Sequence, residues 1–185
     1  GLYHSEATRL YAGATATGSD QTAGFRGAYR ALLESRIPFD FVSDQRMRDA
    51  DIADHLARYD VIVLPNVSCI SDAEAAVLDA YVENGGALIA TGETALYNER
   101  GERRRFPALE SFPISSVDRL ASNLQTYVRV DSDEVAIAHT KLLHLDRYFV
   151  HCTPKDGAKA SLALMPAQPY GPPELCFTEA EEEGE

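Results

Sequence analysis

Three short stretches place reactive side chains just beyond apolar runs that read as buried strands, where open α/β sheets do their chemistry. Ser5-Glu6 follows Leu2-Tyr3-His4, Asn66-Val67-Ser68-Cys69 follows VIVLP, and Thr91-Gly92-Glu93-Thr94 follows ALIA. The side chains so presented are Glu6, Asn66, Ser68, Cys69, Thr91 and Glu93. A thiol just ahead of a helix can be activated by the amides and dipole there, and it then needs a base. His139, His144 and His151 are too remote in sequence to be placed beside Cys69. The plainer reading is a small buried thiol. Glu6 and Glu93, on the ends of neighbouring strands, have the residue types of an acid and nucleophile pair for glycoside hydrolysis, which needs a set separation. The plainer reading is that each carboxylate caps a loop or meets another domain. Hydrolytic α/β folds often hold a nucleophile at the turn after such a strand. Here the turn Ala90-Thr91-Gly92-Glu93-Thr94 holds neither Cys nor a Ser-His constellation.

Other motifs carry less. Thr15-Ala16-Thr17-Gly18-Ser19 is similar to the hydroxyl-rich phosphate loop of flavodoxins, which sits at a helix N-terminus. It stands well away from its strand and is a signal of low specificity, so no cofactor is expected. The five His residues show no ligand spacing. Adjacent strand residues such as His151 and Cys152 face opposite ways, so no metal is expected. One basic cluster, Arg100, Arg103, Arg104 and Arg105 after Tyr97, could hold an anion but reads more plainly as a polar loop. Its mix of an aromatic and arginines also suits an interface.

The elements that must position these residues alternate. Residues 1–5 read as a strand, followed by a Gly-, Ala- and Thr-rich loop. A helix is predicted from Asp20 to Arg36, with Phe25, Tyr29, Leu32 and Leu33 on one face. A short strand over Phe39–Val42 and a helix over 50–58 follow. Val61–Leu64 is a continuous apolar run, as expected of a central parallel strand. Ser71 and Glu74 make a capping box, and Asn84-Gly85-Gly86 ends that helix. Ala87–Ala90 is the next strand. This β-α alternation predicts a parallel sheet with strand order 2-1-3-4 and helices on both faces. Further on, Phe106–Phe112 reads as a short helix and Tyr127–Val130 as a strand. Tyr148–Cys152 and Ala160–Met165 read as a hairpin across a PKDG turn.

Composition bounds the rest. The 185 residues suit one domain, expected over 1–177, with an acidic, disordered tail over 178–185. Net charge is −12, and the last seven residues supply five of the negative charges. An acidic body argues against nucleic acid or an anionic membrane as partner. No apolar run has membrane-spanning length. Three cysteines, an odd number, suit free thiols, a reducing compartment and so a cytoplasmic location, with no disulfide.

Two long strings, AGFRGAYRALLESRIPFDFVSD and YDVIVLPNVSCISDAEAAVLDAYVENGGALIATGETALYNERG, resemble the beta-galactosidase trimerisation domain. That domain is the middle one of glycoside hydrolase family 42 and related glycosyl hydrolases. The resemblance is good over 2–117 and weaker over 118–177. It implies a flavodoxin-like, class I glutamine-amidotransferase-like three-layer sandwich with a mostly parallel sheet. It implies catalytic carboxylates on a separate N-terminal (β/α)₈ barrel that nothing here matches, so no catalytic residue carries over. Amidotransferases of this fold place a nucleophilic Cys at the turn that here reads Thr91-Gly92-Glu93. The resemblance therefore implies a non-catalytic assembly domain. Its partners would be the other domains of a parent chain and two further copies in a trimer, with Tyr97, Arg100, Arg103, Arg104 and Arg105 as the candidate contact. Gly1 and the Pro-rich Pro166–Pro173 would then sit near domain borders. The rival expectation is a free-standing amidotransferase-like enzyme or small-molecule-binding module of the same fold.

Overall fold

The computed structural model describes residues 1–14, 21–119, 126–130, 142–145, 150–159, 163–165 and 183–184. The chain divides into two compact units, Gly1–Phe112 and Pro113–Glu185. The boundary falls inside the one domain expected over 1–177.

The first unit is α/β. Its strands are β1 (Leu2–His4), β2 (Phe41–Ser43), β3 (Val61–Pro65) and β4 (Ala87–Thr91). All pair in parallel, in the order β2-β1-β3-β4. The predicted order 2-1-3-4 is the one observed. Its helices are α1 (Glu6–Ala14), α2 (Gln21–Glu34), α3 (Ile52–Leu56) and α4 (Asp72–Glu83). A 3₁₀ turn, Arg46–Arg48, precedes α3. Right-handed crossovers from β1 to β2 and from β3 to β4 run in opposite directions along the sheet. They place α2 on one face and α4, with α3 beside it, on the other. This is the expected three-layer arrangement.

Burial alternates along β3, where Ile62 and Leu64 are buried and Val61 and Val63 only half-buried, and β4 is largely exposed, so the cover expected of a central parallel strand is complete on one face only. Leu2, Tyr3, Ile62 and Leu64 are all buried, as are Leu56, Ile70, Leu78 of α4 and Leu96. Burying a Leu or Ile side chain is worth about 1.5–3 kcal/mol. The predicted start of α4 is observed in full. Ser71 Oγ accepts from the Glu74 amide, and the Glu74 carboxylate accepts from the Ser71 amide at 2.8 Å. At its other end Gly86 N donates to Tyr81 O and Gly85 N to Val82 O, the two bonds of a Schellman motif.

Three expectations are corrected. The Gly-, Ala- and Thr-rich segment after β1 is helical from Glu6 to Ala14, not a loop. Its first amides are satisfied by Ser5 Oγ, which accepts from Thr8 N, and by Asp44, which accepts from Glu6 N and Ala7 N. Residues 106–112 form no helix. Pro107 lacks an amide to donate, Asp79 of α4 accepts from the Glu110 and Ser111 amides, and Ala108 N donates to Ala95 O. The hairpin expected of Tyr148–Cys152 and Ala160–Met165 is also not formed among the described residues. Its turn exists, with Ala158 N bonded to Lys155 O, but its arms pair elsewhere.

Those pairings lie in the second unit. There β5 (Ile114–Arg119) pairs antiparallel with β8 (Val150–Pro154). A separate sheet orders β10 (Glu183–Gly184), β9 (Ala163–Met165), β6 (Thr126–Arg129) and β7 (Leu142–Leu145), all antiparallel. β6 is the strand expected over 127–130. Thr15–Ser19, His139, Cys176 and Pro166–Pro173 lie outside the described residues. Among the described residues Cys69 and Cys152 are free thiols. No helix among them is long and apolar enough to cross a membrane.

Candidate functional site

The strand ends that sequence reading singled out lie in the row β1-β3-β4, so β3 separates the strands that carry Glu6 and Glu93, which are not the neighbours expected. Order reverses between β1 and β3, the place where open α/β sheets receive ligands. The loops there are tied to one another. Asn66 takes a left-handed backbone (φ 52°), and its Oδ1 accepts from the Glu93 amide at 2.8 Å. Asn66 N donates to Thr91 Oγ1 at 3.1 Å. Gly92 sits against the Asn66 amide group in the left-handed region, at φ 62°. Thr94 is buried and joins three segments. Its hydroxyl accepts from Val67 N at 3.1 Å and lies 2.7 Å from Thr91 O and 3.2 Å from Leu64 O.

Cys69 lies in the same weave. Its amide donates to Thr8 Oγ1 at 3.0 Å, and its carbonyl accepts from Ser5 Oγ at 3.3 Å and Thr8 Oγ1 at 3.4 Å. The residue is only 2% exposed. Burial pushes its thiol up to about 11, against a weaker downward pull from Arg104. A nucleophilic cysteine is shifted the other way. Ser68 is fully buried, and its hydroxyl lies 3.4 Å from Asn66 O.

The two carboxylates are differently placed. Glu6 is held below the usual carboxylate range by its hydrogen bond to Arg9, with Nε at 2.7 Å, and is solvent-facing. Glu93 is buried and accepts from the Tyr97 hydroxyl at 3.4 Å. The Tyr97 ring lies against Tyr11 of α1 at a tilt of 37°, with ring centroids 4.7 Å apart. Burial, then its hydrogen bond to Tyr11, raises the Tyr97 phenol.

A cavity of about 140 Å³ remains beside this weave, between the ends of β1 and β3 and helices α1 and α2. Phe25, Ala12, Pro65 and Val67 make it largely apolar, and His4, Thr22 and Asn66 add polar atoms. The anion-binding end of α1 is already occupied, because Asp44 supplies the carboxylate. Among the described residues no group of three or more His, Cys, Asp and Glu is placed to hold a metal. The weave uses four residues that sequence reading did not single out: Asp44, Thr8, Thr94 and Tyr11. Asp44 carried a signal, as an acidic residue just after the short strand β2, but its target is the start of helix α1.

The loop from Tyr97 to Phe106 is partly internal. Tyr97 is buried, and Arg104 turns inward to Ile70 O (3.1 Å) and Asp72. Arg100, Arg103 and Arg105 are exposed, and the Arg105 guanidinium lies over the Phe106 ring at 5.2 Å.

The raised thiol makes a prediction. In the unfolded chain Cys69 ionises near its ordinary value of about 8.5, and in the folded chain only near 11. Its contribution is thus fully present below about pH 8.5 and is lost as pH rises toward 11. Cys69→Ala is expected to flatten the alkaline limb of stability by about 2–3 kcal/mol between those limits. Urea titrations of both proteins at pH 8 and pH 10.5 check this. Equal losses in the two proteins would refute it.

The comparisons with known proteins fit this geometry. A family model described as the beta-galactosidase trimerisation domain matches residues 3–106, more than half of the chain. No curated protein matches. Among solved structures the chain is similar to Gan42B, a GH42 beta-galactosidase from G. stearothermophilus, at 18% identity and TM-score 0.68, covering 88% of this chain and 23% of that one. It is similar to the beta-galactosidase of Bacillus circulans sp. alkalophilus at 16% identity and TM-score 0.61, covering 80% and 21%. It is also similar to alpha-L-fucosidase isoenzyme 2 of Paenibacillus thiaminolyticus at 18% identity and TM-score 0.52, covering 86% and 22%. These likenesses show the fold, and the chain spans under a quarter of the length of each of these three. The parallel sheet in order 2-1-3-4, the turn without a nucleophile and the match over residues 3–106 agree: this chain belongs to the beta-galactosidase trimerisation domain family.

Proposed function

We propose that this chain is a non-catalytic assembly domain of a multidomain glycoside hydrolase of the beta-galactosidase kind, working in the cytoplasm. The family match carries the reading. The closed strand ends support it: the turn after β4 holds no nucleophile, Cys69 is buried with a raised pKa, and Glu6 and Glu93 have separate partners. A domain without chemistry acts through its surface. The other domains of the parent chain and two further copies are its partners. In the loop first considered, the exposed side chains of Arg100, Arg103, Arg105 and Phe106 make one candidate contact, while Tyr97 and Arg104 hold that loop in place.

Light scattering on the full-length protein tests the reading. A trimer is expected, and a monomer at every concentration would refute it. Arg100→Glu with Arg103→Glu asks whether the loop takes part. The cavity at the ends of β1 and β3 favours a second reading, a module that binds a small, mostly apolar molecule. Saturable thermal stabilisation by such a molecule, lost in Phe25→Ala, would support that one.

A further inference from the structure

The cavity at the ends of β1 and β3 has room for one size of guest. Its volume is about 140 Å³, close to the roughly 150 Å³ of an apolar protein cavity that takes up benzene. Its floor is buried, with Ser5, Pro65 and Val67, and Arg9 and Thr22 stand exposed at its mouth. Phe25 makes one wall and is held from two sides. His4 meets it edge-on at a centroid distance of 5.4 Å, and Phe41 stacks on it at 6.0 Å. Such a wall is formed before any guest arrives, as in most small-molecule sites. A flat ring can lie against Phe25 by face or by edge, the two arrangements aromatic pairs favour.

The polar atoms of the wall are mostly taken. Ser5 Oγ accepts from Thr8 N and lies 3.3 Å from Cys69 O, and Thr8 Oγ1 accepts from Cys69 N at 3.0 Å. Arg9 is engaged by Glu6. Asn66 is different. The Glu93 amide donates to its Oδ1, which fixes the other end of the side chain as Nδ2, and Nδ2 donates to no described residue. The His4 ring nitrogens also have no hydrogen-bond partner among the described residues. An unanswered donor beside an apolar cavity favours a guest with an acceptor. A sugar would bring several hydroxyls against apolar walls, and each one left unpaired costs binding. A carboxylate would find Arg9 already answered by Glu6, on a chain that carries −12.

We propose that this cavity binds a neutral, benzene-sized ring bearing one carbonyl group, with the ring against Phe25 and Pro65 and the carbonyl oxygen accepting from Asn66 Nδ2. This rests on the second reading above and names its ligand class and the residue that selects it. One side chain then has two duties. Asn66 Oδ1 ties β3 to β4 through the Glu93 amide, and Nδ2 recognises the guest.

Calorimetric titration of the full chain with benzamide, benzoate and toluene tests the proposal, with two variants whose folding is followed by far-UV circular dichroism. Asn66→Asp keeps the oxygen that accepts from Glu93 N, tolerates the left-handed backbone and removes the donor. Ala12→Leu fills the cavity from α1. Benzamide is expected to bind at one site and to raise Tm by about 2–4 °C near saturation. Benzoate should bind about tenfold more weakly or worse. Asn66→Asp should weaken benzamide by about tenfold or more and leave toluene within about twofold, a split that a merely damaged cavity would not give. Ala12→Leu should abolish binding of all three. Benzamide held as tightly by Asn66→Asp, or benzoate as tight as benzamide, overturns the carbonyl and its donor and leaves the small apolar reading standing. Benzamide undiminished in Ala12→Leu, or no binding of any probe, overturns both.

Discussion

Gly92→Ala is expected to lower stability by about 3 kcal/mol, because two separate costs fall on one methyl group. The backbone at Gly92 is left-handed, at φ 62°, which costs an alanine about 1–2 kcal/mol. The new Cβ would also lie 2.4 Å from Asn66 Oδ1 and 2.8 Å from its Cγ. Asn66 must then swing away, and its bond from the Glu93 amide goes with it. A lost bond to a half-buried amide is worth about 1 kcal/mol or more. Asn66→Ala alone removes only the second cost. Urea unfolding of Gly92→Ala, Asn66→Ala and the double mutant resolves the two. The double mutant should fall short of the sum of the singles by about 1 kcal/mol, since the bond can be lost once. Strict additivity would show that Gly92 and Asn66 do not share that bond.

The second large effect is at Gly86, where the backbone is unstrained and only space matters. A Cβ there would meet three ring atoms of Tyr81 at 2.1–2.4 Å. That ring is 7% exposed, and its hydroxyl donates to Tyr59 O at 2.9 Å. Gly86→Ala must expel the ring from its seat, losing the bond and much of its buried area, for a cost of about 3 kcal/mol. A smaller side chain at position 81 should relieve the clash. In a Tyr81→Ala background, Gly86→Ala is expected to cost under about 1 kcal/mol, and chemical denaturation of the four proteins gives the coupling. A cost undiminished in that background would place the strain in the backbone instead.

These two glycines show what could be read from the sequence and what could not. Gly85-Gly86 after α4 was legible, as were the Ser71–Glu74 box and the apolar run Val61–Leu64, because each signal lies within one turn or one strand. The parallel order followed from short crossovers alone. Helix α1 was not legible. Its sequence is rich in small residues, and two of its first amides are satisfied by Asp44, which lies in the turn after β2, far away in sequence. The hairpin reading failed for the same kind of reason. A turn at Asp156-Gly157 is local, but the choice of β5 as partner for β8 and of β6 for β9 depends on strands far away in sequence. At the candidate site, residue types alone drew Cys69 and Glu93 together with Asn66 and Thr91. What separates a reactive thiol from an inert one is burial and bonding. These come from Thr8 and Ser5, which sequence distance hides.

Asp44 has a consequence for anyone who would put this scaffold to new use. The amides at the start of a helix such as α1 make a corner that can receive a phosphate or carboxylate from outside, and here the chain answers them itself. The corner is wired shut rather than missing. Exchanging that one aspartate for a small neutral residue would leave two aligned donors with nothing to serve. The domain would thereby become a starting point for a designed anion receptor.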